Sequence, residues 1–167
     1  MRCVKYLFLF IFAFKCYAED MIVGVGVHPT VFNGSTTQLV SLLKDYNINS
    51  VRTDYPWSAV EKEKGNFTKG DERLEQFIDL SVKNNIKPLL ILDYGNALYE
   101  PVTPENPKRK PTSDASIAAF VNYAKWTTNH FGNKVSIYEV WNEWVHAKGK
   151  RNQEEASSDR SAEMYAN

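Results

Sequence analysis

Apolar and polar positions along this chain change period in a regular way, from short apolar runs to runs with helical spacing. The apolar runs predict four strands, at residues 21–27, 50–54, 87–94 and 135–144. Between them, apolar side chains recur every three to four positions in three predicted helices, at residues 35–46, 71–85 and 114–131. A fourth helix is predicted to begin near residues 161–165. Strands and helices therefore alternate through the sequence.

Helix signals support this interpretation. Ser35 and Gln38 have the spacing of a capping box, and Gly132 directly follows the last apolar position of the third helix. The run 21–27 contains two glycines, which suits a buried strand with close backbone neighbours, and 87–94 is apolar enough to be covered on both faces. We expect a loop at residues 55–70. A second, proline-rich loop of about twenty residues precedes the third helix, and its length indicates a functional or mobile segment.

The alternation predicts the α/β class, with the strands parallel in one sheet. Four strands and about three and a half helices correspond to the N-terminal half of a (β/α)8 TIM barrel, whose usual length is about 250 residues. A doubly wound sheet has the same alternation. However, Gly24-Val25-Gly26 lacks the third glycine and the immediate helix of a phosphate-binding loop. We therefore favour a half-barrel at residues 19–167 that is apparently truncated.

The first residues have the pattern of a signal peptide. Arg2 and Lys5 precede an apolar run that is too short to span a bilayer. Cys16 and Ala18 then place small residues at the two positions that a signal peptidase reads, which suits cleavage after Ala18. A buried N-terminal strand is the alternative. With residues 1–18 removed, both cysteines would be lost, so we expect no disulfide and a secreted or periplasmic protein.

Charge excludes some partners. The whole chain has 20 basic and 20 acidic residues. Without residues 1–18 it would keep 17 basic residues and a net charge of minus three, since three basic residues and no acid lie there. That balance argues against nucleic acid or an anionic membrane as the main partner. The basic cluster at residues 108–110 lies among prolines and is expected to be a solvated loop.

Candidate chemistry lies where the predicted strands end. In an α/β barrel these ends meet on one face and hold the reacting groups. The polar and aromatic residues at or just after the strands are His28, Arg52, Asp54, Trp57, Asp93, Tyr94, Asn96, Asn142, Glu143 and Trp144.

Two of these segments resemble a known family. The run Tyr138-Glu139-Val140-Trp141-Asn142-Glu143 resembles the strand 4 motif of clan A retaining glycoside hydrolases. Residues 51–54 with Trp57, and the segments 60–61 and 64–67 that follow, resemble the strand 2 region of family 5 (cellulase-like) and family 39. The resemblance implies a hydrolase of a β-linked polysaccharide or oligosaccharide, and no cofactor is expected.

The resemblance also implies roles for single residues. Glu143 would be the catalytic acid/base, and Asn142 would bind the sugar 2-hydroxyl. A carboxyl beside Trp141 and Trp144 is partly desolvated, which would raise its pKa and keep a proton available for the leaving oxygen. The substrate-binding residues that we expect are Asn142, Arg52, Trp57, Trp144, Asp93 and Tyr94.

Each role has a structural alternative. Glu143 could be a surface carboxylate and Asn142 a turn residue. Arg52 could orient a catalytic carboxylate or only neutralise Glu139. The indoles of Trp57 and Trp144 could stack on sugars or pack in the core.

A metal site is not predicted. Glu143 and His146 have the spacing of a di-iron helix, but the sequence has no second copy of that pair. The three histidines are too scattered for a zinc pattern.

Retaining hydrolysis requires a second carboxylate about 5–5.5 Å from the first. In the family this nucleophile comes from strand 7, which would lie beyond this chain. Two interpretations stay open: a partial glycoside hydrolase that is inactive alone, or a glycan-binding half-barrel or inactive remnant. Either would expose two sheet edges, so we expect the isolated half-barrel to self-associate through them.

Overall fold

The computed structural model describes residues 21–104 and 106–142. The strands are β1 (Gly24–Gly26), β2 (Ser50–Pro56), β3 (Glu61–Glu63), β4 (Asn66–Phe67), β5 (Lys87–Asp93) and β6 (Ile137–Val140). The helices are α1 (Thr36–Asp45), α2 (Trp57–Val60), α3 (Glu72–Lys83) and α4 (Asp114–Phe131). Single 3-10 turns occupy Pro29–Val31 and Gly132–Lys134. The predicted signal peptide and fourth helix lie outside the described residues.

Local capping explains where the long helices begin and end. At α1, Gln38 N donates to Ser35 Oγ at 3.1 Å and Ser35 N donates to Gln38 Oε1 at 2.7 Å, so the predicted capping box is confirmed. At α4, Ser113 and Ser116 form the same reciprocal pair. Gly132 follows α4 with a φ of 50°, which a side chain would strain. These contacts set the ends of the two helices.

The main sheet has four parallel strands in the order β1-β2-β5-β6. Neighbours in the sheet are also successive strands of the alternating pattern, without the reversal of order found in doubly wound folds. Leu89 pairs with Arg52 on one side and with Ile137 on the other. The predicted α/β sheet is therefore confirmed, with the strand order of consecutive strands in a barrel.

One face of the sheet packs against the helices. Tyr55, Leu90 and Leu92 join residues of α3 and α4 in the larger core cluster, while Val51 joins α1 and α3 in a second one. Each fully buried aliphatic side chain contributes roughly 1.5–3 kcal/mol. Within the described residues, no helix is long and apolar enough to cross a membrane.

Side chains alternate along a strand, so the residues between these core positions point to the other face. That face carries Arg52 and Asp54 from β2 and Glu139 from β6. Among the described residues no second layer covers it, and Ile137 is 50% exposed. The polar row therefore lies on the open side of the sheet.

The prediction of a buried first strand at residues 21–27 is wrong in length and burial. β1 covers only Gly24–Gly26, all of it exposed, and Val25 keeps 39% of its surface. The reason is its position at the edge, because within residues 21–104 and 106–142 it pairs with β2 alone.

The predicted loop at residues 55–70 is also wrong, because much of it is regular. β2 continues to Pro56, the single-turn helix α2 follows, and β3 pairs antiparallel with β4. Gly65 makes the tight turn of this hairpin with a φ of 77°. Trp57, Val60 and the first hairpin residue, Glu61, are buried, and Gly65 N in the turn donates to Glu61 Oε1.

Candidate active site

Polar side chains collect where β2, β5 and β6 end. Parallel strands present their carboxyl ends at the same edge, which brings Asp54, Asp93 and Asn142 together from distant parts of the sequence. The sequence predicted this convergence from the order of strands.

Arg52 and Glu139 form the central contact of the site. Arg52 Nε donates to Glu139 Oε2 and Arg52 Nη2 donates to Glu139 Oε1, both at 2.7 Å. Two parallel bonds of this kind give a guanidinium–carboxylate pair a fixed direction as well as energy. The sequence analysis gave neutralisation of Glu139 as the alternative role for Arg52, and the structure contains this ion pair.

The pair also fixes both charges. The hydrogen bond from Arg52 lowers the pKa of Glu139, and the same bond raises the pKa of Arg52. Glu139 is therefore an anion with both oxygens engaged. Such a carboxylate is poorly suited to attack a sugar or to give up a proton.

Asn142 takes a third bond from the same guanidinium. Arg52 Nη2 donates to Asn142 Oδ1 at 3.0 Å, and Asn142 Nδ2 donates to the Tyr94 hydroxyl at 3.0 Å. Arg52 offers only donors, so the carboxamide oxygen belongs on its side. The amide is thus held from two strand ends, and no acceptor for its second amide hydrogen is present among residues 21–104 and 106–142.

The backbone turns sharply just before Asn142. Trp141 has a φ of 65°, which is rare for a bulky residue and costs of order 1–3 kcal/mol. Its ring is 2% exposed and packs against Tyr94 at 5.6 Å and Phe120 at 5.9 Å between centroids. This packing stabilises the strained turn, which directs Asn142 toward Arg52. Nothing in the periodicity of the sequence predicted the turn.

Asp93 ends β5 with no exposed surface. Burial raises its pKa to about 7, and the negative charge of nearby Asp54 adds to the shift. No donor among the described residues reaches either carboxyl oxygen of Asp93. A hydrogen bond with the Asp54 carboxyl further favours the neutral form of Asp93.

His28 completes the rim on the side of β1. Its Nδ1 lies 3.4 Å from Asp54 Oδ2, and its side chain is 68% exposed. When protonated, the imidazole adds a positive charge beside the two carboxyls.

Trp57 does not lie at the site, which corrects its assignment as a substrate-binding residue. It has no exposed surface, stacks between Tyr99 at 5.1 Å and Tyr123 at 5.9 Å, and donates from Nε1 to Glu61 Oε2 at 2.6 Å. A ring enclosed in this way has no face for a sugar, so the alternative of core packing applies.

The partner of Trp57 is a buried carboxylate that the sequence analysis did not single out. Glu61 is 1% exposed and also accepts from Gly65 N at 2.6 Å and from the Tyr99 hydroxyl at 2.5 Å. Its backbone oxygen accepts from Asn96 Nδ2 at 2.6 Å, which places Asn96 in this network. The spacing Trp-x-x-x-Glu on a single helical turn was the available signal.

Two predicted site residues cannot be placed. Glu143 and Trp144 lie outside the described residues, so the acid/base role and the indole wall stay predictions. Within residues 21–104 and 106–142, no three His, Cys, Asp or Glu side chains are grouped to hold a metal ion.

No protein-family model matches the chain. A solved family 39 glycoside hydrolase from the gut symbiont Bacteroides cellulosilyticus WH2 is 31% identical over 75% of this chain, with a TM-score of 0.65. Beta-glucosidase 19 of Arabidopsis thaliana is 27% identical over 125 residues, or 65% of this chain. The chain resembles a segment of a glycoside hydrolase.

This glycoside hydrolase-like chain spans 25% of the length of the family 39 structure and 21% of the Arabidopsis relative. A beta-glucosidase from Exiguobacterium marinum shares the fold, with 16% identity, a TM-score of 0.51, and coverage of 64% of this chain and 24% of that one. The predicted resemblance to glycoside hydrolases and the partial-barrel architecture are thereby confirmed.

Proposed function

We propose that this chain belongs to an enzyme that hydrolyses β-linked glycosidic bonds with retention of configuration. The observation that carries the proposal is the placement of Asn142. Its amide is fixed by Arg52 and Tyr94 at the open end of the sheet, and Glu143 is the next residue. A sugar ring bound there would meet an oriented amide and a carboxyl together.

In this proposal Glu143 is the acid/base. It would protonate the glycosidic oxygen as the bond to the anomeric carbon breaks, and would later remove a proton from the attacking water. The second amide hydrogen of Asn142, the one not donated to Tyr94, would donate to the sugar 2-hydroxyl oxygen. Such contacts strengthen as positive charge develops on the ring.

The nucleophile is a second carboxylate that attacks the anomeric carbon. Among the rim acids, Glu139 is committed to Arg52, and Asp93 is buried with its pKa raised to about 7. Asp54 lies 3.4 Å from the imidazole of His28. We infer that another part of the complete protein supplies the nucleophile. The substrate class that the relatives suggest is a β-linked oligosaccharide or polysaccharide.

The test uses the complete protein that contains this chain, assayed on aryl β-glycosides and on a panel of β-glucan oligosaccharides. We expect turnover with retention, detected as the β-anomer of the first product by NMR. Glu143→Gln should lose activity on natural substrates by about 100-fold or more. Glu63→Gln, on the exposed hairpin, is the matched control and should keep full activity.

Turnover that is unchanged in Glu143→Gln would overturn the acid/base assignment. An α-anomeric first product would overturn the retaining mechanism. If the protein binds oligosaccharides in calorimetry but turns none over, the glycan-binding alternative replaces the enzyme.

A further inference from the structure

The loop between β5 and α4, residues 94–113, folds back on the strand that it leaves. Gly95 N donates to Lys108 O at 3.0 Å. A Cβ on Gly95 would lie 1.6 Å from the carbonyl oxygen of Arg109, so only glycine permits this approach. The backbone of Lys108 therefore lies beside the end of β5.

The loop is also bound to the start of α4. Glu100 accepts from Ser116 Oγ at 2.6 Å and from Thr112 N and Thr112 Oγ1 at 2.9 Å each. Asn106 Nδ2 donates to Lys110 O at 2.9 Å, and Lys110 N donates to Asn106 Oδ1 at 2.6 Å. These contacts give the long loop a defined path, which a solvated linker would lack.

Lys108 contacts Tyr94 in two ways. Lys108 Nζ donates to the Tyr94 hydroxyl at 2.7 Å, and the same ammonium lies 4.1 Å from the centre of the Tyr94 ring. A cation over an aromatic face with a hydrogen bond to its hydroxyl fixes the position of the ring.

Tyr94 in turn contacts the candidate sugar-binding amide. Its hydroxyl accepts from Asn142 Nδ2 at 3.0 Å, while Arg52 Nη2 holds Asn142 Oδ1 from the other side at 3.0 Å. The Asn142 carboxamide can rotate about the Cα–Cβ and Cβ–Cγ bonds, and these two contacts, one on each side of the amide, set its orientation.

We propose that Lys108 is a positioning residue, which orients the Asn142 amide through the Tyr94 hydroxyl. The proposal rests on the proposed hydrolytic function, and it adds the proline-rich loop to the machinery of that site. Lys108 itself does not touch the sugar. It sets the angle at which the Asn142 amide meets the sugar 2-hydroxyl.

A pair of substrates isolates this role. Aryl β-glucoside and its 2-deoxy counterpart differ only in the hydroxyl that Asn142 would bind. In the complete protein, Lys108→Met should lower kcat/KM for the glucoside by about 10- to 100-fold, mostly through kcat, because small displacements at a reacting site are costly. The same variant should leave the 2-deoxy substrate little changed, and Lys108→Arg should restore most of the rate.

Two further variants complete this arm. In an Asn142→Ala background, Lys108→Met should have almost no further effect, because both changes remove the same interaction. Lys62→Met, an exposed lysine on the hairpin, is the charge-matched control. Equal losses on both substrates, or losses that add to those of Asn142→Ala, would overturn the proposal.

An NMR measurement tests the positioning without enzymatic activity. The side-chain amide signals of Asn142, assigned by their loss in Asn142→Ala, should shift in Lys108→Met and in Tyr94→Phe. They should stay near their original place in Lys108→Arg and in Lys62→Met. If the wild-type protein turned over neither substrate, the proposed function would fail while these signals still decided the positioning role. Unchanged signals in Lys108→Met would refute it.

Discussion

Arg52 on β2 binds Glu139 on β6 through two hydrogen bonds of 2.7 Å, although strand β5 lies between them. Both residues point to the open face of the sheet, where the long arginine side chain crosses the intervening strand. The third bond of Arg52, to Asn142 Oδ1, links this ion pair to the candidate sugar contact. One guanidinium therefore ties together the strand ends that form the site.

Arg52→Lys should separate the functional role of this residue from its structural one. Lysine keeps the charge but has no planar fork, so it cannot hold Glu139 and Asn142 at once. We expect kcat/KM of the complete protein to fall by about tenfold or more. The free energy of unfolding should change by less than about 1 kcal/mol, because both side chains are partly exposed, at 41% and 35%.

Urea titration and steady-state kinetics on the same preparations check this prediction. A variant that unfolds much more easily but retains full activity would show that the pair serves stability instead.

Asp93 should make stability fall as the pH rises. Its pKa is about 7 in the folded protein and near 4 in an unfolded chain, so folding favours the protonated form. The stabilising contribution is complete below about pH 4 and is lost progressively toward pH 7. The asparagine of the Asp93→Asn variant cannot ionise, so the stability of this variant should not fall in the same pH range. From pH 4 to pH 8, the free energy of unfolding of the wild type should therefore fall by roughly 2–4 kcal/mol relative to that of the variant.

Chemical denaturation at several pH values measures that difference directly. Asp45→Asn, at an exposed carboxylate, is the control and should run parallel to the wild type. A constant gap between Asp93→Asn and the wild type across this range would contradict a raised pKa at Asp93.

The sequence was sufficient wherever structure depends on near neighbours. Ser35 with Gln38 and the stop at Gly132 are local signals, and they placed the helix ends correctly. Asn142 and Arg52 could be assigned to one rim because parallel strands share their ends. By contrast, Trp57 was assigned to the site, since its burial depends on a hairpin formed with residues that follow it.

Other features depend on strand register and backbone angles, which the pattern does not contain. The two hydrogen bonds between Arg52 and Glu139 depend on the alignment of β2, β5 and β6. The left-handed φ of Trp141 has no sequence signal, because a glycine or asparagine is the usual residue there. The contact of Lys108 with Tyr94 depends on the path of a long loop. These features form the candidate site.

Glu61 should be important for stability. Glu61→Ala would leave Trp57 Nε1, the Tyr99 hydroxyl and Gly65 N without their acceptor in a buried space. Each unsatisfied group costs about 1–3 kcal/mol, so we expect a loss of about 3–5 kcal/mol in the free energy of unfolding. Glu61→Gln retains one acceptor oxygen and should lose less.

The neighbouring hairpin carboxylate provides the comparison for this measurement by urea denaturation. Glu63→Ala, at an exposed position of the same strand, should change stability by no more than about 0.5 kcal/mol. Similar losses for the two alanine variants would mean that Glu61 is not the acceptor that holds this cluster.

Gly95→Ala should damage the candidate site from a position that touches no ligand. The added Cβ would overlap the carbonyl oxygen of Arg109, so the returning loop must move away from β5. Overpacking of this kind costs about 1–3 kcal/mol. The movement would also carry Lys108 away from Tyr94, so the Asn142 amide signals should shift as they do in Lys108→Met.

Gly26→Ala is the matched control, because a Cβ there meets nothing within 4 Å. It should be neutral or slightly stabilising, by up to about 1 kcal/mol. If Gly95→Ala leaves those amide signals in place, or if Gly26→Ala moves them equally, the loop does not act on Asn142.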